Sequence, residues 1–308
     1  MRSMRTLVLM TVMAWSYAAA VMANDFEEVV ECTGHMRILI PEQALSRDAV
    51  KVESNEDGRR FEDWTNEQHA EAYLLMQKVA AVWQEHGISD YLIIGDEDSS
   101  GQFAWEIVPF PPDEYAFWKQ INVMRRIFFG GVNLSKKEQA TSASRFRHFA
   151  SKVPVMTYPE EEDCQGCDPF CNPQIIEAQA VINDPDKSVR VLYDYKPLAY
   201  YHFLIVPKAH EEKFSDVSIQ SYIEASEYAQ ELIRRYGKGK AVYLFHKTGQ
   251  RAGQTVPHWH WHVVIANSRE EELYGQFNAF FKMLWGGSAL DADTLKERVC
   301  VLKSELND

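Results

Sequence analysis

Positive charge is what this 308-residue sequence is short of: Lys+Arg total 32 against 45 Asp+Glu, a formal net charge of −13. That sign excludes holding nucleic acid or an anionic membrane through the global field. Any phosphate must be held by a local site working against it. Cysteine is scarce and odd in number, at five, too few for a disulfide scaffold of this length. Long hydrophobic runs are scarce too: a single one, Thr6 to Ala23, follows Arg2 and Arg5. What is present is ordinary for a folded chain, with 46% hydrophobic, 25% charged and 12% aromatic residues. This composition excludes a disordered or collagen-like protein.

The hydrophobic run closes on Val21-Met22-Ala23, just before Asn24-Asp25. A basic start, an apolar stretch and small residues at −3 and −1 describe a secretory signal peptide over residues 1–23. The rival is an uncleaved membrane anchor, because the run approaches the ~18–20 residues that cross a bilayer. Its Thr, Ser and Ala content and Ala-rich end favour cleavage, so the expectation is a secreted or periplasmic protein with no membrane contact once the leader is gone.

The length suits two modest domains or one large one, and an internal repeat favours two. Arg37-Ile-Leu-Ile-Pro41 is echoed by Phe203-Leu-Ile-Val-Pro207, and Phe61-Glu-Asp-Trp64 by Phe214-Ser-Asp-Val217. In both of the latter the Asp fits a helix N-cap, and amphipathic stretches follow over 65–86 and 218–236. Strand-like Tyr91-Leu-Ile-Ile94 and Ala241-Val-Tyr-Leu-Phe245 come next, then Gly101-Gln102 and Gly253-Gln254, which are 152 positions apart. Both segments close on an aromatic-Gly-Gly, Phe129-Gly130-Gly131 and Trp285-Gly286-Gly287. The expected division is a leader at 1–23, a first half at 24–131, a linker at 132–160, a second half at 161–290 and a tail at 291–308. The linker is read as partly helical, with Arg145, Arg147 and His148 on a solvated face.

Chemistry concentrates in the second half. Six of the ten histidines fall between His202 and His262, and Cys164, Cys167 and Cys171 lie within eight residues. His258, His260 and His262 alternate with Trp259, Trp261 and Val263, so a β-strand puts three imidazoles on one face and the indoles on the other. Taken alone, such a row divides evenly between a metal cage and a catalytic site.

Upstream stands Asp194-Tyr-Lys-Pro-Leu-Ala-Tyr-Tyr-His-Phe-Leu-Ile-Val-Pro-Lys-Ala-His210. With Gly253-Gln-Thr and the histidine row, this segment strongly resembles the histidine-triad (HIT) family of nucleotide hydrolases and transferases. The resemblance covers roughly residues 164–287. It implies an α+β fold, a HIT-like antiparallel sheet with helices, here duplicated as two halves with a degenerate N-terminal one. It also implies that His260 is the nucleophile that attacks a nucleotide α-phosphate and forms a nucleotidyl-histidine. The attacking nitrogen must be unprotonated, so the other ring nitrogen should donate to a backbone carbonyl or similar acceptor. By the same resemblance His262 and His202 contact the phosphate oxygens, His258 completes the triad, Gln254 and Thr255 reach phosphate and leaving group, and Asp194 grips the ribose. Phe203, Leu204 and Val206 read as core.

Many members of the family hold a structural zinc through two cysteines, the Pro-Lys-x-His histidine and the first triad histidine. Those histidines are His210 and His258 here, and Cys2His2 suits tetrahedral zinc. The cysteine spacing departs from the family's. Phe170-Cys171 matches the register, which favours Cys167 with Cys171 and leaves Cys164 as substitute; a disulfide or free thiols stay open. Cys32 and Cys300 carry no motif and either pair or stay buried.

At the 152-residue offset Glu106, Val108 and Phe110 stand where His258, His260 and His262 do, so the first half is expected to lack independent chemistry and to serve as a built-in partner, making a monomeric pseudo-dimer. Galactose-1-phosphate uridylyltransferases, a related family, have a two-half layout but a His-Pro-His followed by Gln; the third histidine here favours the hydrolase branch. The leading expectation is a nucleotidyl hydrolase acting on nucleoside phosphoramidates, dinucleoside polyphosphates or nucleotide sugars. Transfer to phosphate or a sugar phosphate, or a noncatalytic nucleotide-binding module, are the alternatives.

Overall fold

The computed structural model describes residues 28–98, 100–150, 167–265 and 288–307. The leader, Cys164, the end of the linker and Trp285-Gly286-Gly287 lie outside the described residues. In chain order the first half builds β1 (Glu28–Cys32), β2 (Met36–Ile40), β3 (Gln43–Ala44), β4 (Val50–Ser54), α1 (Asn66–Gln84), β5 (Tyr91–Glu97), β6 (Phe103–Pro109) and α2 (Ala116–Phe129). After β7 (Val132–Asn133) and α3 (Lys136–Ala150) come α4 (Pro173–Gln179), β8 (Ala180–Ile182), β9 (Val189–Tyr193) and β10 (Tyr201–Pro207). Then follow α5 (Ile219–Tyr236), β11 (Val242–Thr248), β12 (Trp261–Ile265) and α6 (Ala292–Asn307). The fold is α+β.

Among the described residues, ten strands make one antiparallel sheet in the order β1-β2-β4-β6-β5-β11-β12-β10-β9-β8. The order is a palindrome: outward from the centre, each side lays down its last two strands, then its third, second and first. The halves join where β5 pairs with β11, Ile94 opposite Phe245 and Tyr91 opposite Thr248. The outermost strands are short, and each carries a register irregularity, between Val29 and Glu31 in β1 and between Ala180 and Ile182 in β8.

One face of the sheet is covered by α1 and α5. Their apolar faces bury Tyr73, Met76 and Val79 from α1 and Tyr222, Ala225 and Leu232 from α5. Trp105 and Trp261 meet beneath them at 5.2 Å between ring centroids, with Tyr222 edge-on to Trp261. Odd-numbered residues of β12 therefore face the helices, and the predicted separation of indoles from imidazoles holds.

The helices start later than the Asp residues predict. Phe61–Asp63 and Phe214–Asp216 form 3-10 turns that bury Phe61 and Phe214. The chain then runs extended for two residues, and Thr65 and Ser218 cap α1 and α5, Thr65 in a capping box with Gln68. Each helix reaches across to the other half. Gln77 Nε2 donates to Phe214 O at 2.6 Å, and Gln230 Nε2 donates to Phe61 O and Trp64 O, both at 2.9 Å. The two bonds to phenylalanine carbonyls are reciprocal: Phe61 to Phe214 and Gln77 to Gln230 are both steps of 153 positions.

The repeat is thus an order of elements, and one of the predicted matches is corrected. Arg37–Pro41 lies in and after β2, whose place in the palindrome is that of β9, while Phe203–Pro207 belongs to β10, the counterpart of β4. Both segments are buried apolar strands ending in proline, a pattern that many strands satisfy. The linker is helical over α3, where Arg145 pairs with Asp48 at 2.6 Å and Arg147 with Glu28 at 3.2 Å on an exposed face.

Gln230→Ala leaves two buried carbonyls without their donor and is expected to cost about 2–3 kcal/mol of unfolding free energy. Urea denaturation monitored by tryptophan fluorescence measures this; a change under ~0.5 kcal/mol would show the crossing bonds to be dispensable.

Candidate functional site

The candidate site lies on the sheet face opposite α1 and α5. β12 begins only at Trp261, so His258, in a bend, and His260 precede the ladder, held by Trp259 N donating to Glu211 O at 2.6 Å. Alternation survives there because Trp259 and Trp261, both buried, are locked under Phe214, His246 and Tyr222. The three imidazoles then face the other way.

His260 is buried and its Nδ1 lies 2.7 Å from His258 O. A carbonyl can only accept, so Nδ1 carries the proton and Nε2 keeps its lone pair. Burial, only partly opposed by that hydrogen bond, pushes the His260 pKa down to about 4, and the ring is neutral at neutral pH. His262, whose ring is 4.8 Å from that of His260, stacks on Phe245 at 4.4 Å and 13°. Burial first, then the neighbouring His260 and His202, hold its pKa well below the usual range. Its Nδ1 is 3.0 Å from His202 Nε2.

On its far side His202 Nδ1 receives the Leu198 N–H at 3.1 Å and lies 3.2 Å from Asp194 Oδ2. One nitrogen cannot accept from Leu198 and donate to Asp194 at once. With Leu198 donating, His202 Nε2–H donates to His262 and His262 presents its own Nε2–H to the site. Asp194 Oδ1 accepts from Lys196 N at 2.8 Å. The carboxylate expected at a ribose is therefore anchored beside His202.

His258 is turned away from His202 and His262 and belongs to a second cluster. Its Nδ1 is 3.6 Å from Cys171 Sγ and 3.1 Å from Asp168 Oδ2. His210 Nδ1 is 3.4 Å from Cys167 Sγ, 3.9 Å from Cys171 Sγ and 2.9 Å from Asp168 Oδ2. Tetrahedral zinc, with Zn–S near 2.3 Å and Zn–N near 2.0–2.1 Å, spaces sulfur and nitrogen about 3.6 Å apart; the His258–Cys171 and His210–Cys167 separations match that, while the donors that all lie within 4.8 Å of one another are those of Cys167, Asp168, Cys171 and His210. Two features qualify the fit. Cys167 is disulfide-bonded, which withholds its thiolate until it is reduced. Asp168, unmarked in the sequence, supplies a fifth donor; burial would raise its pKa, but the hydrogen bond and charge of His258 hold it below the usual carboxylate range. Burial and Asp168 push the Cys171 thiol up to about 11. Cys32 and Cys300 are free and exposed, neither paired nor buried.

A profile of the HIT domain matches residues 175–269. An uncharacterized HIT-like protein of Chlamydia trachomatis is 32% identical over 82 residues, which span 26% of this chain and 74% of that one. One of Helicobacter pylori is 30% identical over 73 residues, 23% of this chain and 70% of its own. The chain belongs to the HIT family. Solved structures that overlap it include a galT-like protein of Arabidopsis thaliana, at TM-score 0.48 and 12% identity over 82% of this chain and 84% of that one. An ADP-glucose phosphorylase of the same plant overlaps at TM-score 0.46 and 12% identity over 83% of each chain.

Within the HIT domain, the expected site residues divide three ways. His260, His262, His202 and Asp194 come together; His258 joins Cys167, Cys171 and His210. Gln254 braces its own loop, its Oε1 accepting from Gly249 N at 2.7 Å and its Nε2 donating to Glu212 O at 2.9 Å, while Thr255 stays exposed. Phe203, Leu204 and Val206 are core. Sequence reading missed Lys247, on β11 two residues beyond Phe245 and so on the same face, where burial pushes its pKa down to about 8. Its signal was that alternation, masked by the apolar run before it.

The first-half counterparts also shift. At the 153-position step Lys247 corresponds to Ile94, which pairs with Glu106. Continuing the β11–β12 register two residues past Phe245–His262 sets Lys247 opposite His260. Glu106, not Val108, thus stands in the place of His260, its Oε1 accepting from Leu45 N at 2.6 Å. A cavity of about 760 Å³ lies over this half beside Glu106, Ile94 and Arg126, without a triad histidine.

Nitrogen-detected NMR of the histidine rings is expected to show His260 neutral and Nδ1-protonated at pH 7, gaining its second proton only near pH 4. The unfolded ring titrates near 6.5, so this neutrality costs stability progressively as the pH falls below 6.5. A His260 imidazolium at pH 6 would contradict the arrangement.

Proposed function

We propose that the protein is a nucleotidyl hydrolase working through a covalent nucleotidyl-histidine. HIT-family members are nucleotide hydrolases and transferases, and what carries the reading to this chain is His260, neutral, with Nδ1 committed to His258 O and Nε2 available. His260 Nε2 attacks the α-phosphorus, forming an N–P bond as the bond to the leaving group breaks and its electron pair departs with that group. Water then attacks the phosphorus and returns the electron pair to His260. Dividing one displacement into two lowers each barrier. His262, oriented by His202, donates to the phosphate oxygens as charge redistributes, and Thr255, exposed at the loop, contacts phosphate or leaving group. Leu198 N–H orients His202 from behind, and Asp194 beside it holds the ribose hydroxyls. Transfer to phosphate or a sugar phosphate differs only in the acceptor of the second step.

Zinc held by Cys167, Cys171, His210 and His258 would tie the 167–171 turn to the triad loop and keep His258 O in place behind His260. Residues 1–23 would direct the chain out of the cytosol, and the two halves would act as a monomeric pseudo-dimer on a small nucleotide.

Incubation with labelled nucleotide substrates followed by denaturing capture is expected to yield a nucleotidylated wild-type protein. His260→Ala is expected to yield none, to lose about 10³-fold or more in turnover and to keep nucleotide binding. Absence of any nucleotidylated wild-type species would sink the mechanism. For the metal, reduced protein is expected to bind ~1 equivalent of zinc and Cys171→Ser well under half of that, measured by atomic emission; equal zinc in both would remove Cys171 from the site.

A further inference from the structure

We propose that Lys247, with Gln120 and the Gly253 turn, forms a subsite for an anionic phosphate leaving group, so that the site cleaves nucleotides joined through a phosphoanhydride in preference to nucleoside phosphoramidates. This rests on the nucleotidyl-histidine reading above and narrows its substrate.

The observations are geometric. Lys247 shares the site face with Phe245, whose ring stacks on His262, and the β11–β12 register carries it to the level of His260. Gly253, at φ +89, has no side chain to fill the space beside it. A Cβ there would lie 3.4 Å from Lys247 Nζ and 3.6 Å from Gln120 Nε2. An ammonium and an amide donor therefore border the same gap, one from the second half's β11 and the other from the first half's α2. Gln120 is fixed there by donating to Arg251 O at 2.6 Å, and Arg251 is fixed in turn by donating to Pro111 O and Pro112 O, both at 3.0 Å.

Among the described residues Lys247 has no carboxylate within ion-pair distance. Its recorded neighbour is the Phe245 ring, 5.8 Å from Nζ to centroid. A half-buried ammonium without a counter-ion is costly to maintain, and the depressed pKa reflects that cost. A ligand anion relieves it. The acidity of the whole chain makes so local a cation the more selective.

The chemistry separates the substrate classes. When His260 Nε2 forms its bond to the α-phosphorus, the anhydride P–O bond breaks and the bridging oxygen keeps the electron pair. The leaving phosphate gains one negative charge and needs no proton. Lys247 offsets that charge as it develops. A phosphoramidate instead breaks a P–N bond: its nitrogen keeps the electron pair, must take up a proton to leave as a neutral amine, and so presents Lys247 with no negative charge to offset.

The experiment compares diadenosine tetraphosphate with adenosine 5′-phosphoramidate, and the guanosine pair likewise, in wild type, Lys247→Gln and Lys247→Arg. The wild type is expected to favour the anhydride in kcat/KM. Lys247→Gln is expected to lower the anhydride-to-phosphoramidate ratio about 30-fold, and Lys247→Arg, which keeps the charge, to retain it. A ratio unchanged in Lys247→Gln, or a wild type that favours the phosphoramidate, overturns the proposal. Calorimetric binding of inorganic pyrophosphate reads the subsite without turnover: at least tenfold weaker in Lys247→Gln but not in His260→Ala supports it, and equal affinity in all three overturns it. Lys247-dependent pyrophosphate binding in a protein that forms no nucleotidyl-histidine would keep the subsite and fail the mechanism instead.

Discussion

The structure depends on the ladder between β5 and β11. Four residue pairs there, from Ile94–Phe245 to Tyr91–Thr248, convert two five-strand units into one sheet. Everything the site needs is arranged from that line. β11 places Phe245 under His262 and Lys247 beside the loop, and the helices on the opposite face hold Trp259 and Trp261 down so that the imidazoles turn outward. The crossing bonds of Gln77 and Gln230 brace the same junction from the helix layer. Neither helix is anchored wholly within its own half, so the degenerate half braces the other even with glutamate in the place of His260.

The second constraint is electrostatic. Several imidazoles packed together, several of them buried, must be uncharged, because protonated rings repel and the interior penalises charge. The fold meets this by giving one nitrogen of each ring a neighbour: a carbonyl for His260 and another imidazole for His262 and His202. The consequence is that His260 keeps an unprotonated nitrogen facing the site without a general base to deprotonate it. On the same face Lys247 is held without a carboxylate at ion-pair distance among the described residues.

How much of this was readable varied with the kind of information. The HIT motifs marked His260, the need for an acceptor at its second nitrogen, and the residues Cys171, His210 and His258 that the fold gathers, because those follow from residue spacing along one strand and one turn. The two long helices were readable from apolar periodicity to within a residue or two at their starts. What failed was anything set by comparison between halves. Pro41 and Pro207 end similar buried strands that are not counterparts, and the stretch from Gln254 to His260 is two residues longer than that from Gln102 to Glu106, which displaced the match from Glu106 to Val108. Asp168 and Lys247 were invisible because their meaning lies in what a neighbouring strand or turn brings against them. Gln254 looked like a ligand contact, yet its amide is spent on the loop's own backbone.

The irregular outer strands bear on how the molecule ends. A sheet built by joining two halves along their inner edges could continue to grow along its outer ones, since an exposed strand offers unpaired N–H and C=O groups to any neighbour. Here β1 and β8 are five and three residues long, and each is broken by a bulge. A newcomer would find too few aligned groups to form a ladder of its own. Among the described residues, the join in the middle of the sheet is thus matched by short, irregular strands at either rim that offer a further strand few aligned groups.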